Sequence, residues 1–482
     1  MKLLLVSSEI FPFSKTGGLA DVAGALPKAL QKSGVEVKLI SPKYRCVTEK
    51  DFSLKLVTRD LKVPVKDMIE SSALWKTDYN GVETYFVEKD AYYDREGLYG
   101  TKEKDYEDNA ERFAFFCRAV IESCKQIGYK PDIIHCNDWQ SGLIPAYLKT
   151  LYKDDPFFHH TKTIFTIHNI GYQGLFDPIS LPMTGLPQSV YNMEELEFYG
   201  KISYLKAGIV FSDIINTVSK TYAEEIQTKD YGAGLDGILR KRGKDLYGIM
   251  NGIDYEKWNP KKDPLIYANY THRKISARKT NKKNLQKEMK LTYRDYPLIG
   301  IISRLAKQKG IDIVIPAMQT LLKKYRVEFI ILGKGDKQYE DALQSISKNY
   351  KNKVSVNIGF DEALAHKIYA SCDFFLVPSL YEPCGLGPLI AYRYGAIPIV
   401  RATGGLKDSV KNYNLKKKEG TGFSFRAYTK DALCNTMEKA LYLYSNDEKT
   451  LNKMVKQDMK MDWSWEEQAK KYIRLYKKVI KR

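Results

Sequence analysis

Short apolar runs alternate with amphipathic stretches along nearly the whole chain. In the first half, strand-like runs fall at Lys2–Ser8, Glu36–Ile40, Thr84–Val87, Asp132–Cys136, Lys162–His168, Asp213–Ser219 and Asp245–Met250. In the second half they fall at Pro297–Ser303, Glu328–Gly333, Lys353–Ile358, Asp373–Pro378 and Ile397–Val400. Helical patterns separate them, and this alternation is the signature of doubly wound parallel sheets. A polar stretch from Lys261 to Tyr296, rich in Lys and Asn, divides the halves and predicts one helix near Arg278–Lys290. At the C-terminus, Trp465, Ala469, Tyr472, Ile473, Tyr476 and Ile480 recur at helical spacing, and Ser464 with Glu467 fits a capping box. Such a stripe must be buried, so the terminal helix is expected to return to the first half. The expected division is 1–250, 251–460 and 461–482.

Length and composition narrow the class. The chain has 482 residues, 44% hydrophobic and 28% charged, which suits several globular cores and excludes wholesale disorder. No apolar run approaches the roughly 18 residues of a membrane span, so no membrane partner is expected. The opening run Met1–Val6 is cut by Ser7, Ser8 and Glu9 too early for a signal peptide. Seven cysteines without a CxxC pair read as reduced thiols of a cytoplasmic protein. Six histidines with a single adjacent pair, His159-His160, give no structural zinc pattern.

Charge adds one expectation. The formal net charge is +19, which favours anionic ligands. The lysines are scattered and accompany no nucleic-acid module, so a Lys-rich solvated surface is the reading and no nucleic-acid partner is expected.

In sheets of this kind ligands bind at the carboxyl ends of the strands, and unusual residues gather there. Lys15-Thr16-Gly17-Gly18 follows the first strand and opens a helix. Glycines at that turn let backbone N–H groups approach an anion, and Lys15 adds a full charge. The same pattern, Thr-Gly-Gly-Leu-x-Asp, recurs at Thr403 to Asp408, which shared strand-to-helix turn geometry explains. No G-x-G-x-x-G fingerprint supports a dinucleotide cofactor. After a buried strand of the second half, Arg304 and Lys309 are placed to converge on a diphosphate. Glu382-Pro-Cys384-Gly385-Leu386-Gly387 leads into another helix, with Glu382 positioned to bind a sugar hydroxyl or ribose. Cys384 reads as a small packed thiol. Trp139 is equally suited to stacking on a sugar and to anchoring its loop.

Several of these segments together resemble the bacterial glycogen (starch) synthase family. They are Lys15-Thr-Gly-Gly-Leu, Thr166-Ile-His168-Asn169-Ile-Gly-Tyr-Gln-Gly174, Met250-Asn251-Gly252-Ile253-Asp254, Ser303-Arg304-Leu with Gln308-Lys309-Gly310, and Glu382-Pro-Cys-Gly-Leu386. The resemblance extends from Met1 to the Trp463-Ser464-Trp465 region. It implies a GT-B fold, two Rossmann-like domains facing across a cleft. It also implies transfer of glucose from ADP-glucose to the non-reducing 4-hydroxyl of an α-1,4-glucan, such as glycogen or a maltooligosaccharide, with retention of configuration. On the same ground Lys15, Arg304 and Lys309 would hold the donor diphosphate. Asp138, His168, Asn251 and Glu382, with Cys384 and its neighbouring glycines, would line the glucose pocket. Tyr99, Asp21 and Asn169 complete the set on the sugar and acceptor side, with Gly17 and Gly18 on the donor. Two departures stand out: Asn137-Asp138-Trp139-Gln140 replaces His-Asp-Trp-His, and Ala402 stands where Pro is usual.

A departing diphosphate develops negative charge that fixed cations stabilise. With Lys15, Arg304 and Lys309 in that role, and no Asp-x-Asp run at a strand end, neither metal nor cofactor is expected. Retention admits a double displacement through Glu382 or same-face attack by the acceptor. The second is favoured, because Glu382 adjoins the glycine-rich helix start.

Overall fold

Residues with paired apolar faces, such as Leu3 to Val6 and Phe329 to Ile331, are buried on both sides and can sit only inside a sheet covered by helices. A computed structural model describes residues 1–66, 68–101, 103–292 and 294–482. The chain forms two compact units, Met1–Asn251 with Trp465–Arg482, and Gly252–Ser464. The division falls after Asn251 and Ser464 rather than after 250 and 460. The reason is local: the Ile253 N–H donates to the Trp463 carbonyl (2.8 Å), and Ile253 bridges Ser464, so both segments belong to the second unit.

The first unit contains strands β1 (Lys2–Val6), β2 (Glu36–Pro42), β3 (Lys55–Val65), β4 (Met68–Tyr79), β5 (Val82–Glu88), β6 (Ile133–Asn137), β7 (Lys162–Ile167), β8 (Leu175–Phe176), β9 (Glu197–Phe198), β10 (Lys201–Ser203), β11 (Ile214–Thr217) and β12 (Leu246–Gly248). The main sheet has the order β12-β11-β7-β6-β1-β2-β5-β4-β3. It is parallel from β12 to β5 and antiparallel where β4 and β3 extend it. Strands β8, β10 and β9 form a small separate sheet. The sequence pattern did not predict β3 and β4. Charged residues in KLVTRDLKVPV leave β3 largely solvated at its start, so it lacks a buried run.

The terminal helix Trp465–Ile480 packs against the helix Gly18–Lys32 and over the sheet. Trp465, Tyr472 and Tyr476 are buried in the first unit. Beneath the helix lies a polar knot. His135 Nδ1 is 2.9 Å from the Tyr476 hydroxyl, and His135 Nε2 is 2.7 Å from Thr166 Oγ1.

The second unit holds β13 (Leu298–Ile302), β14 (Glu328–Gly333), β15 (Val354–Ile358), β16 (Phe374–Val377), β17 (Ile397–Arg401) and β18 (Phe423–Phe425). Their order is β15-β14-β13-β16-β17-β18, all parallel. The polar stretch carries a helix at Ala277–Glu288. Among the described residues no helix is long and apolar enough to cross a membrane.

Predicted strands that ran on into a loop stop short of the expected residue because the final side chains leave the ladder. Ser8 Oγ pairs with Tyr99, the His168 N–H donates to Asp138, and Ser219 caps the helix Lys220–Glu225. Those loop residues build the candidate site.

Candidate active site

In the first unit the chain leaves β1 through Ser7, Ser8 and Glu9. Glu9 is buried, and its carboxylate is fully engaged. It accepts the Thr16 N–H (2.5 Å), the Thr16 hydroxyl (2.5 Å), the Gly17 N–H (3.1 Å) and the Tyr99 hydroxyl (2.8 Å). A buried charge persists only when hydrogen-bonded in this way. The finding changes one expectation: the Gly17 N–H, assigned to a ligand anion, is occupied by Glu9. Open space remains where a side chain on Gly17 or Gly18 would stand, so a ligand can still approach the turn. Lys15 Nζ donates to both Asp21 oxygens (2.6 and 2.8 Å). Asp21, expected on the sugar side, is thus the counter-ion of Lys15. An exposed pair of this kind is worth little and yields readily to a phosphate.

Just past the end of β6 the backbone is strained. Asp138 has φ 55° and ψ 179°, a region almost reserved for glycine, at a cost of about 1–3 kcal/mol. This twist turns its carboxylate onto the His168 N–H (2.7 Å). Burial pushes the Asp138 carboxyl up to about 7, although the His168 and Asn169 amides pull the other way. Asn137 Nδ2 donates to the carbonyls of Val6 and His135, so its Oδ1 faces His168 Nε2 at 2.9 Å. Nε2 therefore carries the proton and Nδ1 keeps its lone pair. Burial lowers the His168 pKa to about 3, which keeps the ring neutral. The neutral His168 is accordingly built to accept a hydrogen bond at Nδ1 rather than to become a cation.

Trp139 is an anchor. It packs edge-on to Phe113 (4.9 Å) and Phe176 (5.6 Å), and a Cβ on Gly174 would stand 2.5 Å from its ring. Asn169 turns its amide oxygen onto the Gly171 N–H (3.0 Å) and shapes its own loop. Asn251 is buried, and its side-chain oxygen has no hydrogen-bond partner among the described residues.

In the second unit Arg304, just past β13, is exposed and donates to Gln308 Oε1 (2.7 Å). Lys309 Nζ donates to Glu382 Oε2 (2.6 Å), and Ser379 Oγ donates to the same oxygen (2.9 Å). The Leu380 N–H donates to the Gln308 carbonyl (2.8 Å). Gly310, at φ 79°, makes the join possible, since a Cβ there would lie 2.3 Å from the Pro378 carbonyl. Arg304, Lys309 and Glu382 are thereby carried on two loops joined edge to edge.

The second Thr-Gly-Gly turn buttresses this arrangement from behind. The Gly405 N–H donates to the Glu382 carbonyl (3.1 Å), and a Cβ on Gly404 would lie 2.0 Å from that oxygen. The repeated pattern therefore does different work in each unit: it holds a carboxylate in the first and supports a loop in the second. Gly385 (φ 78°) starts the helix Leu386–Tyr394, whose first-turn N–H groups, Leu386 and Gly387 among them, have no partner within the helix. Cys384, in no disulfide, is buried beside it.

Sequence reasoning missed Glu9 and His135. Glu9 was read only as the end of an apolar run, and His135 only as strand interior. A carboxylate after two serines at a strand's carboxyl end, and a histidine inside an apolar strand, were the available signals. Among the described residues, no group of three or more His, Cys, Asp or Glu is arranged to hold a metal ion.

The starch synthase catalytic domain family matches residues 2–241, and the glycosyl transferases group 1 family matches residues 282–461. The glycogen synthase of Thermotoga maritima is 48% identical over 487 aligned residues, covering 100% of this chain and 99% of its own. That of Syntrophotalea carbinolica is 45% identical over 481, with the same coverage. Among solved structures, the catalytic domain of starch synthase IV from Arabidopsis thaliana bound to ADP and acarbose superposes with a TM-score of 0.90 at 32% identity, covering 100% of this chain and 99% of that one. The sucrose-phosphate synthase from Thermosynechococcus elongatus, at 18% identity and TM-score 0.60 over 100% of this chain and 99% of its own, shares the fold.

Proposed function

The chain belongs to the glycogen and starch synthase family and is a glycosyltransferase of GT-B fold; we propose that it works in the cytoplasm and extends an α-1,4-glucan from ADP-glucose, with retention and without a metal. The observation that carries this reading is the pair of joined loops that present Arg304 and Lys309 beside the open helix start at Gly385. Two fixed cations and a helix N-terminus suit a diphosphate. The likeness to a starch synthase bound to ADP supports an adenine nucleotide as the leaving group.

In this reading the bond from glucose C1 to the diphosphate breaks while a bond to the acceptor 4-oxygen forms on the same face. The acceptor proton passes to the departing phosphate oxygen. Arg304 and Lys309 stabilise charge that grows on that oxygen, which acts on the barrier more than on binding. Lys15, released from Asp21, is a cation that the first unit can offer to a phosphate. His168 Nδ1 accepts a glucose hydroxyl, and the unpartnered Asn251 oxygen accepts another. Asp138, poised near neutrality, can donate to a sugar hydroxyl or accept from one. Glu382 already bonds Lys309 and Ser379, which favours a role in holding these groups over that of a free nucleophile.

The test is the product. Maltotriose incubated with ADP-glucose should give a ladder of longer chains whose new linkages are α-1,4 by NMR. Free glucose alone, or β-linked product, would overturn the reading.

A further inference from the structure

The hairpin between β9 and β10 turns on Tyr199 and Gly200, both at positive φ (49° and 76°). Two-residue hairpins of this kind are made with Asn-Gly or Gly-Gly, because a Cβ crowds the next carbonyl when φ is positive. An aromatic residue there is an outlier. The chain tolerates it while leaving Tyr199 80% exposed, so the residue does not serve the core. Phe198 stands edge-on to the Tyr199 ring (4.8 Å, 85°), which props that ring without covering it.

The hairpin is tied to the loop that follows β7. A Cβ on Gly234 would meet Phe198 Cζ at 2.9 Å and Tyr199 Cε2 at 3.2 Å, so glycine keeps the flank of the rings clear. The adjoining Ala233 carbonyl accepts the Gln173 side-chain amide (2.8 Å). Next to Gln173, Tyr172 is 56% exposed, and its N–H donates to the Asn169 carbonyl (3.1 Å). Two exposed tyrosines thus stand on linked loops that continue outward from His168 and Asn169. Of the cations nearby, Lys206 bonds the Met193 and Glu197 carbonyls and Lys241 pairs with Glu194, while Lys201, next to the turn, is exposed. Tyr199 and Tyr172 present large exposed ring surface beside it. Sugar rings pack their C–H faces on such rings while their hydroxyls stay in water, and exposed apolar surface of this kind marks a binding site.

We infer that Tyr199 and Tyr172 form a platform for the stretch of α-1,4-glucan behind the reacting end, so that a long chain is held while its terminus is extended. This rests on the reading of the chain as a glucan synthase. The strained turn supplies a clean variant, because Asn tolerates positive φ. Tyr199→Asn should keep or raise the melting temperature, migrate about tenfold less retarded through glycogen-containing gels, and need about tenfold more glycogen for half-saturation. Its kcat/KM with maltotriose should stay within about twofold of wild type, because the platform acts on the chain behind the reacting end. Tyr199→Phe should behave as wild type. Wild-type retention and half-saturation in Tyr199→Asn would overturn the platform while leaving the synthase reading intact. A wild-type protein that neither binds nor extends glycogen would overturn that reading and the platform with it.

Discussion

Replacing His135 with Gln should change the acid sensitivity of the protein by a calculable amount. Thr166 Oγ1 accepts a hydrogen bond from Asn216 Nδ2 (3.2 Å), so its own proton points to His135 Nε2, and Nδ1–H donates to Tyr476. The neutral ring satisfies both neighbours, whereas an imidazolium would present two donors and leave the Thr166 proton unplaced. Burial, and then the nearby His168, lower the His135 pKa to about 3. In the unfolded chain it returns to about 6.5. Below that value the unfolded state binds a proton that the folded state refuses, so stability is lost as the pH falls from about 6.5 toward about 3. Between pH 7 and pH 4.5 the loss is about 2.5 kcal/mol, and any folded value below about 4 gives nearly the same figure. At about 2 °C per kcal/mol for a unit of this size, that is roughly 5 °C of melting temperature. Gln does not titrate, so the gap between wild type and His135→Gln should narrow by that amount when melting is followed at both pH values. Curves that stay parallel would refute the neutral, doubly bonded histidine.

Other perturbations follow the same logic. Gly174→Ala meets both a positive φ of 58° and the Trp139 ring 2.5 Å away, so it should cost about 2–5 kcal/mol in denaturant melts. Gly34→Ala, also at positive φ but with nothing within 4 Å, should cost only about 1–2 kcal/mol. Arg304→Ala should lower kcat by roughly 10²–10³ with a much smaller loss of ADP-glucose affinity, while a chelator leaves wild-type turnover nearly intact. Inhibition by chelator reversed by Mg²⁺ would contradict that assignment. Asp458 is buried, neither carboxyl oxygen has a partner among the described residues, and burial pushes it up to about 9. Its folded pKa is raised, so wild type should lose stability relative to Asp458→Asn at about 1.4 kcal/mol per unit as the pH rises from about 4 to about 9.

Most of the parallel strands were legible because they are largely buried apolar runs, such as Leu3–Val6 and Ile397–Val400. The helix starting at Trp465 was legible from its periodicity, and the one at Ala277–Glu288 was expected within the polar stretch. Strands β3 and β4 were not, since their pairing is antiparallel and half solvated, and β18 is too short to carry a pattern. The loops that carry Lys15, Asp138, His168, Arg304, Lys309 and Glu382 could be placed at strand ends, but not their pairings. That Lys15 meets Asp21 and that Lys309 meets Glu382 depends on how loops close. Close approaches such as Gly310 against Pro378 decide that closure, and one sequence does not display them. The positive φ of Asp138 is equally invisible, because nothing in Asn-Asp-Trp demands it. Glu9 lay hidden for the opposite reason: its partners Thr16, Gly17 and Tyr99 were noticed, and each was assigned elsewhere.

The central claim is a transfer of glucose from an adenine nucleotide sugar, and nucleotide release tests it most directly. Purified protein with maltooligosaccharide should be given ADP-glucose and, in a parallel reaction, UDP-glucose, with the freed nucleotide separated by chromatography. ADP should appear in step with chain elongation, and at a rate well above that of UDP. Equal or faster release of UDP, or release of ADP that does not depend on the acceptor, would contradict the account.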